Sequence, residues 1–208
     1  MPRPVSGRRR LVRSTLLALG CLPILLLTLG FCVGTPHYYH KKFAAVPGGV
    51  RPTALPNPIQ PEVQTEPHTC GLHSLSSLYH AYGLNPEERR LRFRLGTDKP
   101  INNWIPDTRG TIHPDMLRVL GQDGFDAEVL LPGSQDTLGR LRAHLDAGHF
   151  AVVLIKPSEF HWVVAAARDG DNALICDSQR RDLYPVPMES YLRDEVYSLM
   201  LVRPAADE

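Results

Sequence analysis

A chain of 208 residues holds one domain of ordinary size with a tail and leaves no room for two full domains. Acids and bases nearly balance, for a formal charge of +1, which excludes a global basic field and, with it, a nucleic-acid partner. Hydrophobic content of 43% and charged content of 22% exclude disorder of the chain as a whole.

Residues 1–15 carry Arg3, Arg8, Arg9, Arg10 and Arg13 and no acid, and read as a basic cytoplasmic N-terminus. The run from Leu16 to Val33 then holds about eighteen residues without a charge. That is the short end of what crosses roughly 30 Å of hydrocarbon as a helix, and longer than the apolar region of most secretory signals. Residues 16–34 are therefore expected to be a transmembrane signal-anchor or a signal peptide, cleaved after the small residues that end at Gly34. Either way the remainder is exported. It stays at the cytoplasmic membrane on the extracytoplasmic side, or is secreted if the segment is removed. Residues 35–61 read as a linker, because Pro36, Pro47, Pro52, Pro56, Pro58 and Pro61 interrupt helix and central strand alike. Within it, Val46-Pro47-Gly48-Gly49-Val50 contains a double glycine, of the kind that flexible tethers hold for their own reasons. Only Cys70 and Cys176 lie beyond the apolar run, too few for a disulfide-stapled scaffold, so the domain at 62–204 must be held by packing.

Along that domain, apolar residues at 72, 75, 78, 79 and 82 are spaced as one face of a helix that ends at Gly83. His73 and His80 fall on its polar rows, where solvated side chains are expected. Glu87 to Leu95 reads as a short helix and Asn102 to Gly110 as an irregular surface loop. Pro114 to Gln122 reads as a helix with Leu117 and Leu120 inward, and Thr137 to Ala147 as another, ended by Gly148. Strands follow at 150–155, 161–166, 173–177 and 197–202, the first a continuous apolar run of the kind buried on both faces. Helices first and an antiparallel sheet afterwards give an α+β class.

Cys70 stands at the start of the first helix, where the dipole and unpaired N–H groups favour a thiolate. Taken alone it is a small buried hydrophobe. Gly71 allows a close approach to the sulfur. Gln64, six residues upstream, is within reach to aim its amide at the same oxyanion as the Cys70 N–H. A nucleophile needs a base, and a base needs an orienting group. His161 opens one apolar strand and Asp177 ends the next; each alone reads as an ordinary strand-end residue. In a hairpin with a five-residue loop from Arg168 to Asn172, Val163 faces Asp177 and His161 faces Gln179, putting His161 and Asp177 on one face. An even loop would separate them, so a shared site predicts an odd one. The same alternation turns Cys176 away from the site and makes it a core residue. His68, Cys70 and His73 invite a metal reading, but no second cluster of ligands supports it.

Gln64, Cys70-Gly71, His161-Trp162-Val163-Val164 and Asp177, in this order, resemble the motif set of the bacteriocin-processing (double-glycine) peptidases, family 39 of the papain-like cysteine peptidases. The resemblance spans about residues 60 to 203. It implies a papain-like fold with N-terminal helices packed on a C-terminal antiparallel sheet. It also implies a cysteine-type peptidase with Cys70 as nucleophile, His161 as base, Asp177 as orienting acid and Gln64 as oxyanion-hole amide. Peptide or protein substrates are expected, with neither cofactor nor metal, and with the membrane met only through the N-terminal apolar segment; the oligomeric state is left open. Two positions depart from the family: Thr69 where an acid commonly precedes the cysteine, and Ser178 where Pro often follows the acid. Two rivals use the same residues: an acyltransferase or amidase, and a peptidase-like module that binds peptides without hydrolysis. A third, a metal-dependent sensor, would use His68, Cys70 and His73.

Overall fold

A computed structural model of the chain describes residues 22–24, 26, 51–102, 105–134, 136–156 and 159–206. In chain order it holds α1 (Cys70–Ala81), α2 (Glu88–Leu95), β1 (Pro100–Asn102), β2 (Ile105–Arg109), α3 (His113–Gln122) and β3 (Phe125–Leu130). These are followed by α4 (Thr137–Asp146), β4 (Phe150–Ile155), β5 (His161–Asp169), β6 (Asn172–Cys176), β7 (Tyr184–Pro187), α5 (Met188–Asp194) and β8 (Val196–Pro204). The chain divides into two compact units, Met1–Pro36 with Pro100–Thr108, and His37–Lys99 with Arg109–Glu208.

In the first unit the described residues are Leu22, Pro23, Ile24 and Leu26, helical and exposed, and the paired strands β1 and β2, the latter as far as Thr108. The region expected to be an irregular loop, 102–110, thus contains a strand. Most of the expected anchor or signal at 16–34 lies outside the described residues, as does the double glycine at 48–49. Among the described residues no helix is long and apolar enough to cross a membrane.

The second unit is built on one six-stranded sheet in the order β3-β8-β4-β5-β6-β7, with every neighbouring pair antiparallel. Its centre explains the continuous apolar runs: all six residues of β4 are buried because helices cover both faces. Against one face, through Val152, Leu154, Trp162, Val164 and Met200, pack Leu72, Leu75 and Tyr79 of α1, Leu91 and Leu95 of α2, and Met116 and Leu120 of α3. Against the other, through Val153, Val163, Ile175 and Leu199, pack Leu141 and Leu145 of α4 and Met188 and Leu192 of α5. The fold is α+β, as expected, with helices from the middle and end of the chain supplying the second cover.

Helix α1 is buried nearly all round, and only His80 is exposed. The reason is the segment from residue 51 to residue 64, which carries no helix or strand and runs along the helix from its C-terminus toward its N-terminus. The Thr53 and Asn57 N–H groups donate to the Tyr82 and Ala81 carbonyls at 2.9 and 2.8 Å. Glu62 N–H donates to Ser77 Oγ at 3.0 Å, and Ile59 is buried beneath the segment. The Glu62 carboxylate pairs with His80 and lies 3.8 Å from His73 Nδ1. The expectation of a solvated His73 therefore fails: the covering segment takes that row of the helix out of water.

A buried ion pair ties α2 to the end of α3. Arg94 donates to both Asp123 oxygens at 2.9 and 2.8 Å, and Tyr79 OH donates to Asp123 Oδ2 at 2.6 Å. Arg94 and Asp123 are 2% and 4% exposed, so removing one charge strands the other in the core. Asp123→Ala should cost about 3–5 kcal/mol in urea denaturation. Asp194→Ala, which removes the exposed partner of Arg193, should leave the midpoint unmoved.

Candidate active site

The approach to Cys70 is a single 3-10 turn, Pro67–Thr69, closed by Thr69, whose N–H and Oγ1 both donate to the Glu66 carbonyl at 3.1 and 2.8 Å. Because that hydroxyl is used backwards, it does not cap α1, and the first N–H groups of the helix keep no side-chain cap. Cys70 is the first residue of the helix and its thiol is free. Gly71 is needed for packing. A Cβ there would sit 2.7 Å from Thr111 Cβ and 3.1 Å from Trp162 Cδ1. The close neighbour that the glycine admits is thus the chain itself. Trp162 fixes that neighbour by donating from Nε1 to the Thr111 carbonyl at 2.9 Å. Ser74 Oγ donates to the Trp162 carbonyl at 2.9 Å, tying α1 to the first residues of β5.

His161 opens β5 and Asp177 follows β6, but the hairpin joining them is not the one expected. Asp169 pairs with Asn172, leaving the two-residue loop Gly170-Asp171, with glycine at φ +58° as such a tight hairpin favours. An even loop alone would put His161 and Asp177 on opposite faces. A bulge between Ala165 and Ala167 corrects the parity: Arg168 pairs with Ala173, yet Val164 pairs with Cys176. Continuing that register sets Val163 opposite Asp177, the pairing anticipated from the sequence, and returns both residues to one face. Cys176 faces the core beneath α1, and burial pushes its thiol up to about 12.

The three side chains are thereby brought together. Cys70 lies close enough to the His161 ring to raise its pKa, and His161 Nε2 donates to Asp177 Oδ1 at 2.7 Å, which leaves Nδ1 as the nitrogen that can serve the sulfur. Asp177 Oδ1 also accepts the Gln179 N–H at 2.8 Å, and Oδ2 accepts Tyr184 OH at 3.2 Å. Burial would by itself raise the Asp177 pKa, but the bonds from His161, Gln179 and Tyr184 outweigh it and hold the carboxyl below its ordinary value. Burial would likewise lower the pKa of His161. The Asp177 hydrogen bond, and then the neighbouring Cys70 side chain and its charge, reverse this and raise it to about 9.

Gln64 joins from the covering segment. Its N–H donates to the Ser178 carbonyl at 2.8 Å, and its Oε1 accepts from Ser178 Oγ at 2.6 Å. Its Nε2 lies 3.2 and 3.4 Å from the carbonyls of Glu66 and Pro67, in the turn that leads to Cys70. The metal set His68, Cys70 and His73 does not converge. His68 turns to Asp98 at 3.2 Å, and His73 turns to Glu62. Glu66, His68 and Asp98 do gather within 4.8 Å, but the Arg92 guanidinium already bonds both carboxylates there. Reading the sequence missed Tyr184 and gave Ser178 no partner. Tyr184 lies in a strand with two prolines and no motif of its own, and Ser178 was visible only as a departure from a pattern.

This fold recurs among solved structures. A double glycine motif protease from an AMS/PCAT transporter, in complex with the leader peptide, is 18% identical with a TM-score of 0.52, over 75% of this chain and 99% of that one. The peptidase domain of Streptococcus ComA, a bi-functional ABC transporter involved in quorum sensing, is 18% identical with a TM-score of 0.53, over 70% and 98%. The fold is that of the double-glycine peptidase domains. A C39-like peptidase from Bacillus anthracis shares it at 13% identity and a TM-score of 0.51, over 79% of this chain and all of that one. No family model matches the chain, and no curated protein does.

The raised His161 pKa has a consequence for stability. An imidazole near 6.5 when unfolded and about 9 when folded contributes fully below about pH 6.5. That contribution is lost as pH rises through 9. Asp177 behaves oppositely: its contribution is present above its unfolded value and lost as pH falls through the lowered folded one. Urea midpoints measured from pH 6 to 10 should fall in the wild type, and fall less in His161→Gln; equal slopes would contradict the assignment.

Proposed function

We propose that the chain is a cysteine peptidase that cleaves peptide bonds by acyl transfer through a thioester. The observation that carries this reading is the gathering of Cys70, at a helix N-terminus with no side-chain cap, beside a His161 ring that is hydrogen-bonded to Asp177. A peptidase fold around those residues supports it, and the leader peptide bound to one structural neighbour supports a peptide as substrate.

In this mechanism the Cys70 thiolate attacks the scissile carbonyl carbon, and the carbonyl electrons move onto oxygen. The Gln64 amide and the N–H at the start of α1 stabilise that oxyanion. His161, as imidazolium, gives its Nδ1 proton to the departing amine, and the intermediate collapses to a thioester. The neutral imidazole then takes a proton from water, whose oxygen attacks the thioester and releases the carboxylic acid and the thiolate. Asp177 keeps Nε2–H engaged throughout, which leaves Nδ1 as the proton carrier. The arginines before the apolar run support a location outside the cytoplasmic membrane, anchored or released by cleavage.

The test is incubation of the full-length chain with a proteome-derived peptide library, with new termini read by mass spectrometry. Cleavages made by the wild type should vanish in Cys70→Ala and slow by about 10²–10⁴-fold in His161→Ala. A fully active Cys70→Ala variant would overturn the reading.

A further inference from the structure

We propose that Ser178 is a positioning residue for the oxyanion donor, its hydroxyl anchoring the Gln64 amide in the orientation, set by two backbone carbonyls, that presents N–H rather than C=O to the reacting carbonyl. This rests on the peptidase reading above and adds to it a residue that the motif set does not contain.

A glutamine amide has two nearly isosteric ends, and its last torsion is broad and roughly two-fold, so nothing intrinsic selects one orientation. The neighbours must select it. The Glu66 and Pro67 carbonyls can only accept, so the amide end beside them, at 3.2 and 3.4 Å, is the nitrogen. These contacts are long and hold the amide only loosely, so an oxyanion, a much stronger acceptor than either carbonyl, can draw an N–H away from them. The short contact is at the other end, where Ser178 Oγ donates to Oε1 at 2.6 Å. Ser178 is 3% exposed, so little water competes for that oxygen from the serine side. The backbone bond from Gln64 N–H to the Ser178 carbonyl at 2.8 Å makes the attachment two-point, fixing both where the glutamine starts and which way its amide faces.

A flipped amide would be doubly unfavourable in the reaction. Its oxygen would face the Glu66 and Pro67 carbonyls, and it would present lone pairs to a developing negative charge. Gln64 is only half-buried, so without the serine hydroxyl the loosely held amide can turn away toward water. The position of the serine adds a second consequence. Asp177 holds the proposed base and Ser178 holds the proposed oxyanion donor. One dipeptide at the end of β6 therefore sets the distance between the groups that must act together on one carbonyl.

The test separates a reaction that forms an oxyanion from one that does not. With p-nitrophenyl acetate, the Cys70 sulfur bonds to the carbonyl carbon, an oxyanion forms, and collapse leaves an acetyl thioester and p-nitrophenolate. Iodoacetamide instead loses iodide from a saturated carbon, with no oxyanion. Both rates are read on the full-length chain, with Cys70→Ala as the background. Removing an oxyanion donor outright costs about 10²–10³-fold, and unlocking one should cost about tenfold. Ser178→Ala should therefore slow acylation about tenfold and leave alkylation within about twofold, with Ser178→Thr restoring the lost rate. Gln64→Ala should lose at least as much, and Ser178→Ala should add nothing to it. Unchanged acylation in Ser178→Ala would overturn the proposal, and so would an equal loss of both rates, the mark of a merely structural residue. Alkylation in the wild type that ignores His161 is the separate failure of the peptidase reading, and it would take the proposal with it.

Discussion

The arrangement depends above all on where β6 ends. Asp177 and Ser178 lie just past the last paired residue, and the register of β6 still sets the face from which each side chain leaves. Asp177 reaches His161, and Ser178 reaches Gln64. Those contacts exist only because the β5–β6 register arrives with the right parity. That parity comes from the bulge at Ala166, and the turn alone would have given the other one. A single inserted residue, about a third of the way down the strand from the tight turn, decides whether acid and imidazole share a face.

Around this point the molecule is heavily constrained. Helix α1 is enclosed by the sheet on one side and by the segment from residue 51 to residue 64 on the other, so its first residue has little freedom. Thr111 and Trp162 press on Gly71, the residue beside the sulfur. Groups that act on one carbonyl must be held to within a fraction of an ångström, and cover from several elements is how small proteins achieve it. The buried Arg94–Asp123 pair serves a related end, since it fixes α2 to the turn between α3 and β3, and α2 in turn carries Arg92 beneath the turn before Cys70.

Much of this was legible in the residues. The 3.6-residue spacing of Leu72, Leu75 and Tyr79 marked α1, and the unbroken apolar runs marked the two central strands. Cys70, His161 and Asp177 suggested one site because each sits at the end of an element, and Gln64 joined them through its place six residues before the cysteine. What was not legible depended on context from elsewhere in the chain. The edge strand β7 escaped notice because it reads Tyr-Pro-Val-Pro, and prolines in a sheet are confined to its edges and irregularities. His73 looked solvated because nothing local announces that a proline-rich segment folds back over it. The bulge leaves no sequence mark, since Ala166 lies in a run of three alanines that fits either register. Ser178 had no visible role because its partner lies 114 positions away.

The central claim is that Cys70 and His161 act as one ionising pair. The most direct measurement is the rate of iodoacetamide alkylation of the full-length chain from pH 4 to 10, with peptide mapping to assign it to Cys70. The account predicts rapid labelling of Cys70 well below pH 8 in the wild type and loss of that low-pH reactivity in His161→Ala. A Cys70 that is inert across the range, or that follows the titration of an ordinary thiol whether or not His161 is present, would contradict it.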